Sequence, residues 1–329
     1  MATRFSLMKK LWKSLPPSFI IGVFTHLPHG IVKYLGPIDV TIEPTNVCNF
    51  SCPLCPRTSL TRKYGSMSIE HFKHIIDTLP WSVRLVELYL LGEPLMAKDI
   101  FLMIKYARSK GLLVQISTNA SYLKKYTDQV LDSDLSEMIV SVDGATEETY
   151  KQYRIGGNFH EVIQGIKHFM DEKKRRGLKN PSVTFQFIVM KHNEHEIEAV
   201  EKLAKNLGVD HLQLKRVSMM DTRREKEKQE SLKKRFLPTD QRFIRDSFKQ
   251  NKIDPCRWAF SSQILQDGRV TSCCYDGDGK HVKGSAFEES FKKIFRSREY
   301  TKMRKDIIAQ KLDICKGCDY NTQVTEKVF

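Results

Sequence analysis

Cysteine is missing from the middle of this chain. Of its eight cysteines, three fall between Cys48 and Cys55 and five lie after Pro255. A disulfide framework spaces its cysteines through a small secreted domain, whereas bunching at two ends of a long chain is the habit of metal sites. Long apolar runs are missing as well. The most apolar early stretch, Phe19 to Leu35, is interrupted by His26, Pro28, His29, Gly30 and Lys33, which excludes a bilayer-spanning helix there. No secretory leader is recognisable, and no internal repeat or low-complexity tract is found. Together these absences point to a reducing, cytoplasmic setting.

Acidic residues are in deficit. Lys and Arg number 54 against 39 Asp and Glu, a net charge of +15 over 329 residues. Such an excess attracts anions of any kind, from nucleic acid to acidic lipid to a phosphorylated small molecule, and equally suits a merely basic soluble protein. No basic stripe interleaved with aromatics is present, so nucleic acid is not the expected partner. Lys9, Lys10 and Lys13 beside Phe5, Leu7, Leu11 and Trp12 form a basic amphipathic segment. It would make weak peripheral membrane contact or pack on its own domain.

With 40% hydrophobic residues the chain can bury one large domain and a smaller one. From Gly36 to about Val217, β-branched runs alternate with helical patterns. Strands are expected at Ile38–Glu43, Arg84–Leu90, Leu112–Ser117, Glu137–Val142, Val183–Val189 and His211–Val217. Helices are expected at Ile69–Thr78, Ala97–Lys110, Tyr122–Leu131, Phe159–Arg176 and Glu194–Leu207, the last closed by Gly208. Six β/α units in series imply parallel strands with right-handed crossovers, too few for a closed eight-fold barrel. The fold class is α/β, a partial (β/α)6 barrel with its chemistry at the carboxyl ends of the strands. Thr222–Arg235 is a mixed charge run that reads as a linker or solvated helix. Beyond Pro255 come a short strand pair around Gly268 and helices at Phe287–Arg296 and Tyr300–Ala309. The expected division is 1–35 amphipathic extension, 36–220 barrel, 221–250 charged linker, and 251–329 small cysteine-rich α+β domain.

Cys48-Asn49-Phe50-Ser51-Cys52-Pro53-Leu54-Cys55 follows the first strand as C-x3-C-x2-C. Thiolates suit iron–sulfur clusters and zinc. Three on one loop would hold three irons of a cubane and leave the fourth open, while a zinc site would more usually show paired C-x2-C knuckles. The array resembles that of the radical S-adenosylmethionine (SAM) superfamily. The resemblance implies that Cys48, Cys52 and Cys55 hold a [4Fe–4S] cluster whose open iron chelates SAM, and that the reduced cluster cleaves SAM to a 5′-deoxyadenosyl radical. Later strand ends are similar to the same family. Leu91-Gly92-Glu93-Pro94 resembles its Gly-Gly-Glu-Pro, with Leu91 in place of the first glycine, and Gly92 and Glu93 are implied at the cationic end of SAM. Ser117 and Asn119 on the third strand offer groups for hydroxyls. Ser141 and Asp143 of Ser-Val-Asp-Gly are implied at the ribose, and Arg154 of Tyr153-Arg154-Ile155-Gly156-Gly157 at the SAM carboxylate. Gln186, with Val189 and Met190, is implied near adenine; Leu54 stands where an aromatic is common.

Cys256, Cys273, Cys274, Cys315 and Cys318 resemble the C-terminal extension called SPASM, and more closely its shorter twitch form with one auxiliary [4Fe–4S] cluster. Four ligands then come from Cys256, one of Cys273 and Cys274, Cys315 and Cys318; the Gly-x-Val-x-x-Cys spacing favours Cys273. Four thiolates suit zinc equally. A fully ligated auxiliary cluster suits electron relay, so the resemblance implies oxidation of a small-molecule alcohol, carbohydrate- or cyclitol-like, with a flavodoxin- or ferredoxin-like electron donor. A maturase acting on a ribosomal peptide is the alternative, and a metal-dependent nucleic-acid-binding protein a more distant one. No proton acceptor stands out; His26, His160 and His192 read as surface or packing residues.

Overall fold

The structure is a computed structural model, described here for residues 36–219, 226–244, 256–316, 318 and 324–329. The expected amphipathic extension, His26, and the start of the charge run lie outside those residues. Six parallel strands run β1 Asp39–Ile42, β2 Leu85–Glu87, β3 Leu113–Thr118, β4 Glu137–Ser141, β5 Ser182–Val189 and β6 His211–Arg216. Each pairs in parallel with the next. Helices α1 Ile69–Thr78, α2 Ile100–Ser109, α3 Thr127–Leu131, α4 Glu147–Tyr153, α5 Phe159–Arg175 and α6 Ile197–Leu207 fill the connections. The mostly parallel α/β architecture is the one expected.

Alternation decides which way each side chain points. Val40, Ile42, Val86, Val114, Ile116, Met138, Val140, Val183, Phe185 and Phe187 face the helices and are fully buried. Each such side chain contributes roughly 1.5–3 kcal/mol of burial. The helices answer with matching stripes: α1 buries Phe72, Ile75 and Ile76, one face of a 3.6-residue period, and starts where Ser68 accepts a bond from the His71 amide. α6 ends on Gly208 at φ 74°, a left-handed position that glycine adopts without strain. The alternate residues of the strands turn inward and are largely polar.

Some elements differ from expectation. Residues 122–126 are turns, so α3 begins only at Thr127, and α4 is an unexpected helix capped by Thr146. Polar residues dominate its seven positions, which hid it from a search for apolar periodicity. Lys226–Phe236 is helical (α7), so the charge run is in part a helix rather than a loop. The expected helix from Phe287 starts at Phe291 (α8, Phe291–Arg296), and Arg298–Ile308 forms α9.

The C-terminal segment does not fold apart from the barrel. β7 Ser262–Ile264 pairs in parallel with β1, β8 Val270–Thr271 pairs with β7, and β9 Val324–Val328 runs antiparallel to β6. One sheet of nine strands results, in the order β8-β7-β1-β2-β3-β4-β5-β6-β9, with both edges of the barrel covered by later chain. A buried latch adds to this union. Arg62, just past the third cysteine, pairs with Glu43 at 2.7 Å, their side chains 4% and 0% exposed. Its Nε donates to the Gly277 carbonyl at 2.6 Å, and another guanidinium nitrogen donates to Gln266. Burial pushes the Glu43 carboxyl up, and Arg62 opposes that shift. Breaking a buried pair strands a charge. Arg62→Ala should therefore lose about 3–5 kcal/mol of unfolding free energy by denaturant titration, with Arg62→Ala/Glu43→Gln recovering part of it.

Candidate functional site

At the carboxyl ends of β1–β6 lies a cavity of about 370 Å³, within the range of small-molecule sites. Cys48, Cys52 and Cys55 form one wall. Their loop is shaped by backbone bonds: the Cys55 amide donates to the Cys52 carbonyl at 3.0 Å, and the Ser51 amide to that of Ile155 at 2.9 Å. Gly156 and Gly157 make the second contact feasible. Gly156 sits at φ 95°, and a Cβ on Gly157 would come within 2.7 Å of the Phe50 ring. Asn119 reaches the same loop, its Nδ2 3.0 Å from Asn49 Oδ1 and 3.8 Å from Cys48 Sγ. Burial raises the Cys48 thiol and pushes Cys52 up to about 12, despite Arg154 Nη1 4.0 Å from the Cys52 sulfur.

Gly92 and Glu93 adjoin this wall, the Glu93 amide donating to the Val47 carbonyl at 2.8 Å. Gly92 has no room for a side chain, since a Cβ would lie 2.1 Å from the Thr45 carbonyl oxygen. Glu93 is buried, and desolvation raises its carboxyl. Both of its oxygens are engaged within the protein: Oε1 accepts from Thr118 Oγ1 at 2.6 Å and Leu95 N at 3.1 Å, and Oε2 from Asn119 N at 2.7 Å. Glu93 thus fixes the end of β3, a role beyond the ligand contact its motif implied. Ser117 and Ser141 line the cavity from β3 and β4.

Arg154 is a largely buried cation of the site. It follows α4, lines the cavity, and meets Asp143 Oδ2 at 2.6 Å, an ion pair whose angle falls short of a hydrogen bond. Burial opposes its charge, but Asp143 and Cys52 outweigh that and hold it protonated. Its buried Nε has no hydrogen-bond partner among the described residues. Asp143 itself does not line the cavity; its Oδ1 accepts from the Ile188 amide at 2.8 Å, so it braces Arg154 from behind. Gln186 and Met190 do not line it either. Met190 is fully buried, and Ile188 supplies the β5 contact. The period of two explains the shift, because residues 188 and 190 share a face only while the strand continues, and β5 ends at Val189. Sequence reasoning passed over Asn193, which ties Met190 N, Ile188 O and Asp143 O together, and over Tyr89, Lys215, Ser218 and Tyr275 on the cavity wall. Only their inward register would have shown them.

The later cysteines gather behind Tyr275. Cys273 is buried with Trp258 and Ile314 in an apolar cluster against which Cys256, Cys274 and Cys315 pack. Burial pushes Cys256 and Cys315 up to about 11, and Cys273 is raised further by a contact with Cys274 and by burial. Cys318 is also buried, its amide 3.3 Å from the Cys315 carbonyl. The Gln263 amide, its nitrogen toward Cys273 O at 3.1 Å and its oxygen toward Cys274 N at 2.9 Å, pins this dipeptide to β7. Cys274 and Tyr275 line the main cavity and also pack against the second cysteine set, in which Cys273 is buried. Among the described residues no three Cys, His, Asp or Glu side chains converge as they would on a single ion. A cubane asks something else, since each thiolate binds a different iron.

These donor sets fit the groups they would hold. Three thiols on a loop match a site-differentiated cubane. An unpartnered buried guanidinium N–H and a backbone cradle at Gly92 match the carboxylate and ammonium of a bound amino acid. Fold and site together define an enzyme class built on cluster chemistry at the mouth of a partial barrel. Residues 42–204 match the radical SAM superfamily model, and residues 256–319 match the SPASM model of an iron–sulfur cluster-binding domain. The chain belongs to the radical SAM superfamily and carries a C-terminal SPASM domain, and its cofactors are SAM and [4Fe–4S] clusters. An AdoMet-dependent heme synthase of Oleidesulfovibrio alaskensis is 28% identical over 171 residues, 50% of this chain and 42% of that protein. The match therefore spans less than half of that relative. BtrN in complex with AdoMet and 2-DOIA superposes with a TM-score of 0.55 at 16% identity, covering 86% of this chain and 93% of BtrN. Streptococcus suis SuiB bound to precursor peptide SuiA gives 0.63 at 14% identity, covering 87% and 70%. Both likenesses show the fold.

Two outcomes follow from the geometry. Raised thiols must release protons to bind iron, so iron uptake by the metal-free protein should fall as pH is lowered from 8 to 6, measured by ferrous titration. Gly92→Ala should abolish SAM binding by calorimetry while cluster absorbance persists, because the added carbon meets backbone that cannot yield.

Proposed function

We propose that this enzyme oxidises a small-molecule alcohol, carbohydrate- or cyclitol-like, after abstracting hydrogen from the carbinol carbon. The observation that carries the reading is the Cys273-Cys274-Tyr275 segment: Cys273 is buried within the second cysteine set, and Cys274 and Tyr275 pack against that set while also lining the substrate cavity. An electron leaving a substrate radical would cross a single residue to reach an auxiliary cluster held by Cys256, Cys273, Cys315 and Cys318. When bound, SAM and the cluster on Cys48, Cys52 and Cys55 supply a 5′-deoxyadenosyl radical. The chain's own residues bind and orient. Arg154, held charged by Asp143, would take the SAM carboxylate, and Gly92 would admit its ammonium against backbone carbonyls. Ser117 and Ser141 offer hydroxyls near the sugar. Tyr275, its hydroxyl 2.8 Å from Ser218 Oγ, closes the side next to the second cysteine set.

A flavodoxin- or ferredoxin-like protein would supply the reducing electron. Heme synthases lead the curated relatives and SuiB is bound to a peptide, so the substrate class is a proposal about this site and is not carried over from them.

The test is anaerobic. Reconstituted protein should hold about seven to eight irons, and with SAM and dithionite should yield 5′-deoxyadenosine; Cys52→Ala should yield none. Cys273→Ala should lose about four irons while Cys274→Ala keeps them. Incubation with cyclitols and amino-sugars should give a product lighter by two hydrogens. Turnover of a ribosomal precursor peptide in place of any of these would overturn the small-molecule reading.

A further inference from the structure

The inward face of the barrel below the cavity carries a connected polar chain that the functional reading has not used. Register places Gln263, Thr41, Glu87, Gln115 and Glu137 side by side on β7, β1, β2, β3 and β4, all on the inward face. Tyr89, two residues past the end of β2, lines the cavity. Its hydroxyl is 3.1 Å from Glu87 Oε1 and 3.0 Å from Gln115 Oε1. Thr41 Oγ1 donates to Glu87 Oε2 at 2.8 Å, and Gln115 Nε2 donates to Glu137 Oε2 at 2.5 Å.

Counting protons along this chain gives an uneven result. A phenol has one proton, and here two acceptor oxygens flank it. With Glu87 ionised, one of those contacts lacks a hydrogen. With Glu87 protonated, every link is satisfied in one direction, from Glu87 to Tyr89 to Gln115 to Glu137. The chain holds a place for one more proton, and its cavity end is a hydroxyl.

We infer that Tyr89 is the catalytic residue that receives the substrate's hydroxyl proton, passing its own to Glu87, which Thr41, Gln115 and Glu137 position. This rests on the oxidative reading. The balance is complete: the carbinol carbon gives its hydrogen atom to the cofactor radical, the hydroxyl proton goes through Tyr89 to Glu87, and one electron leaves toward the auxiliary [4Fe–4S] cluster. A C=O bond replaces the C–H and O–H bonds. The proton leaves toward β2 and the electron through the Cys273-Cys274 segment. Among the described residues the charged groups that share this inward face with Glu87 are Asp39 on β1, Glu43 just past its end and paired with Arg62, Glu137 on β4, and His211 and Lys215 on β6.

The experiment is an infrared pH titration of the oxidised, cluster-loaded enzyme without substrate, in wild type, Glu87→Gln, Glu87→Asp and Tyr89→Phe. Wild type minus Glu87→Gln should show one protonated-carboxyl stretch, restored in Glu87→Asp. In Tyr89→Phe its midpoint should move up by about one unit, because the carboxylate loses a donor. A Glu87→Gln spectrum that titrates like wild type, or a Tyr89→Phe midpoint that does not move, overturns the inference. The oxidative reading is judged separately by the wild-type product mass, so the two failures are distinguishable.

Discussion

A guanidinium held in a nearly dry pocket organises this active-site region. Arg154 lies between the Asp143 carboxylate and the Cys52 sulfur, and its charge survives burial because both neighbours favour it. Without it, Asp143 would be a buried carboxylate with only backbone to answer it, and the end of β5 that hangs on Asp143 would lose its anchor. Its buried Nε, without a hydrogen-bond partner among the described residues, suits an anionic partner. Everything placed around it, from the two glycines after it to the cysteine loop they touch, follows from that demand.

The second organising feature is the way late sequence returns to the barrel. β7 extends the sheet beside β1, β9 covers β6, and Arg62 latches the cysteine loop to residues 266 and 277. The SPASM segment is therefore built into the cavity wall. That arrangement sets Cys274 and Tyr275 against the site where Cys48, Cys52 and Cys55 lie, and leaves Cys273 behind them. Strand order brings late sequence to the cavity, since β7 pairs in parallel with β1 and Cys274 and Tyr275 beyond it line the wall.

Much of this was legible in the sequence, and the reasons are physical. The six parallel strands announce themselves by β-branched runs, and their ends by Gly-Glu-Pro, Ser-Thr-Asn and Asp-Gly. The cysteine loop was plain because three soft ligands at that spacing have few other uses. What could not be read was anything that depends on register. Gln186 and Met190 were implied by the resemblance, whereas Ile188 is the β5 residue that lines the cavity. Tyr89 and Lys215 resemble any strand residues until the inward face is known. The choice between Cys273 and Cys274 leaned on spacing alone; the parallel β1–β7 pairing, formed between residues more than two hundred apart, leaves Cys273 buried and Cys274 on the cavity wall. The helix at Glu147–Tyr153 was hidden because its burial comes from tyrosines and a threonine, not from an apolar stripe.

The central claim is that three thiols leave one iron free to take the amino-acid end of SAM. Electron–nuclear double resonance on the reduced enzyme measures this directly, using SAM labelled with ¹⁵N at the amine and ¹⁷O at the carboxylate. The account predicts hyperfine coupling from both labels to the cluster spin. A reduced cluster that shows no coupling to either label, in protein saturated with SAM, would contradict it.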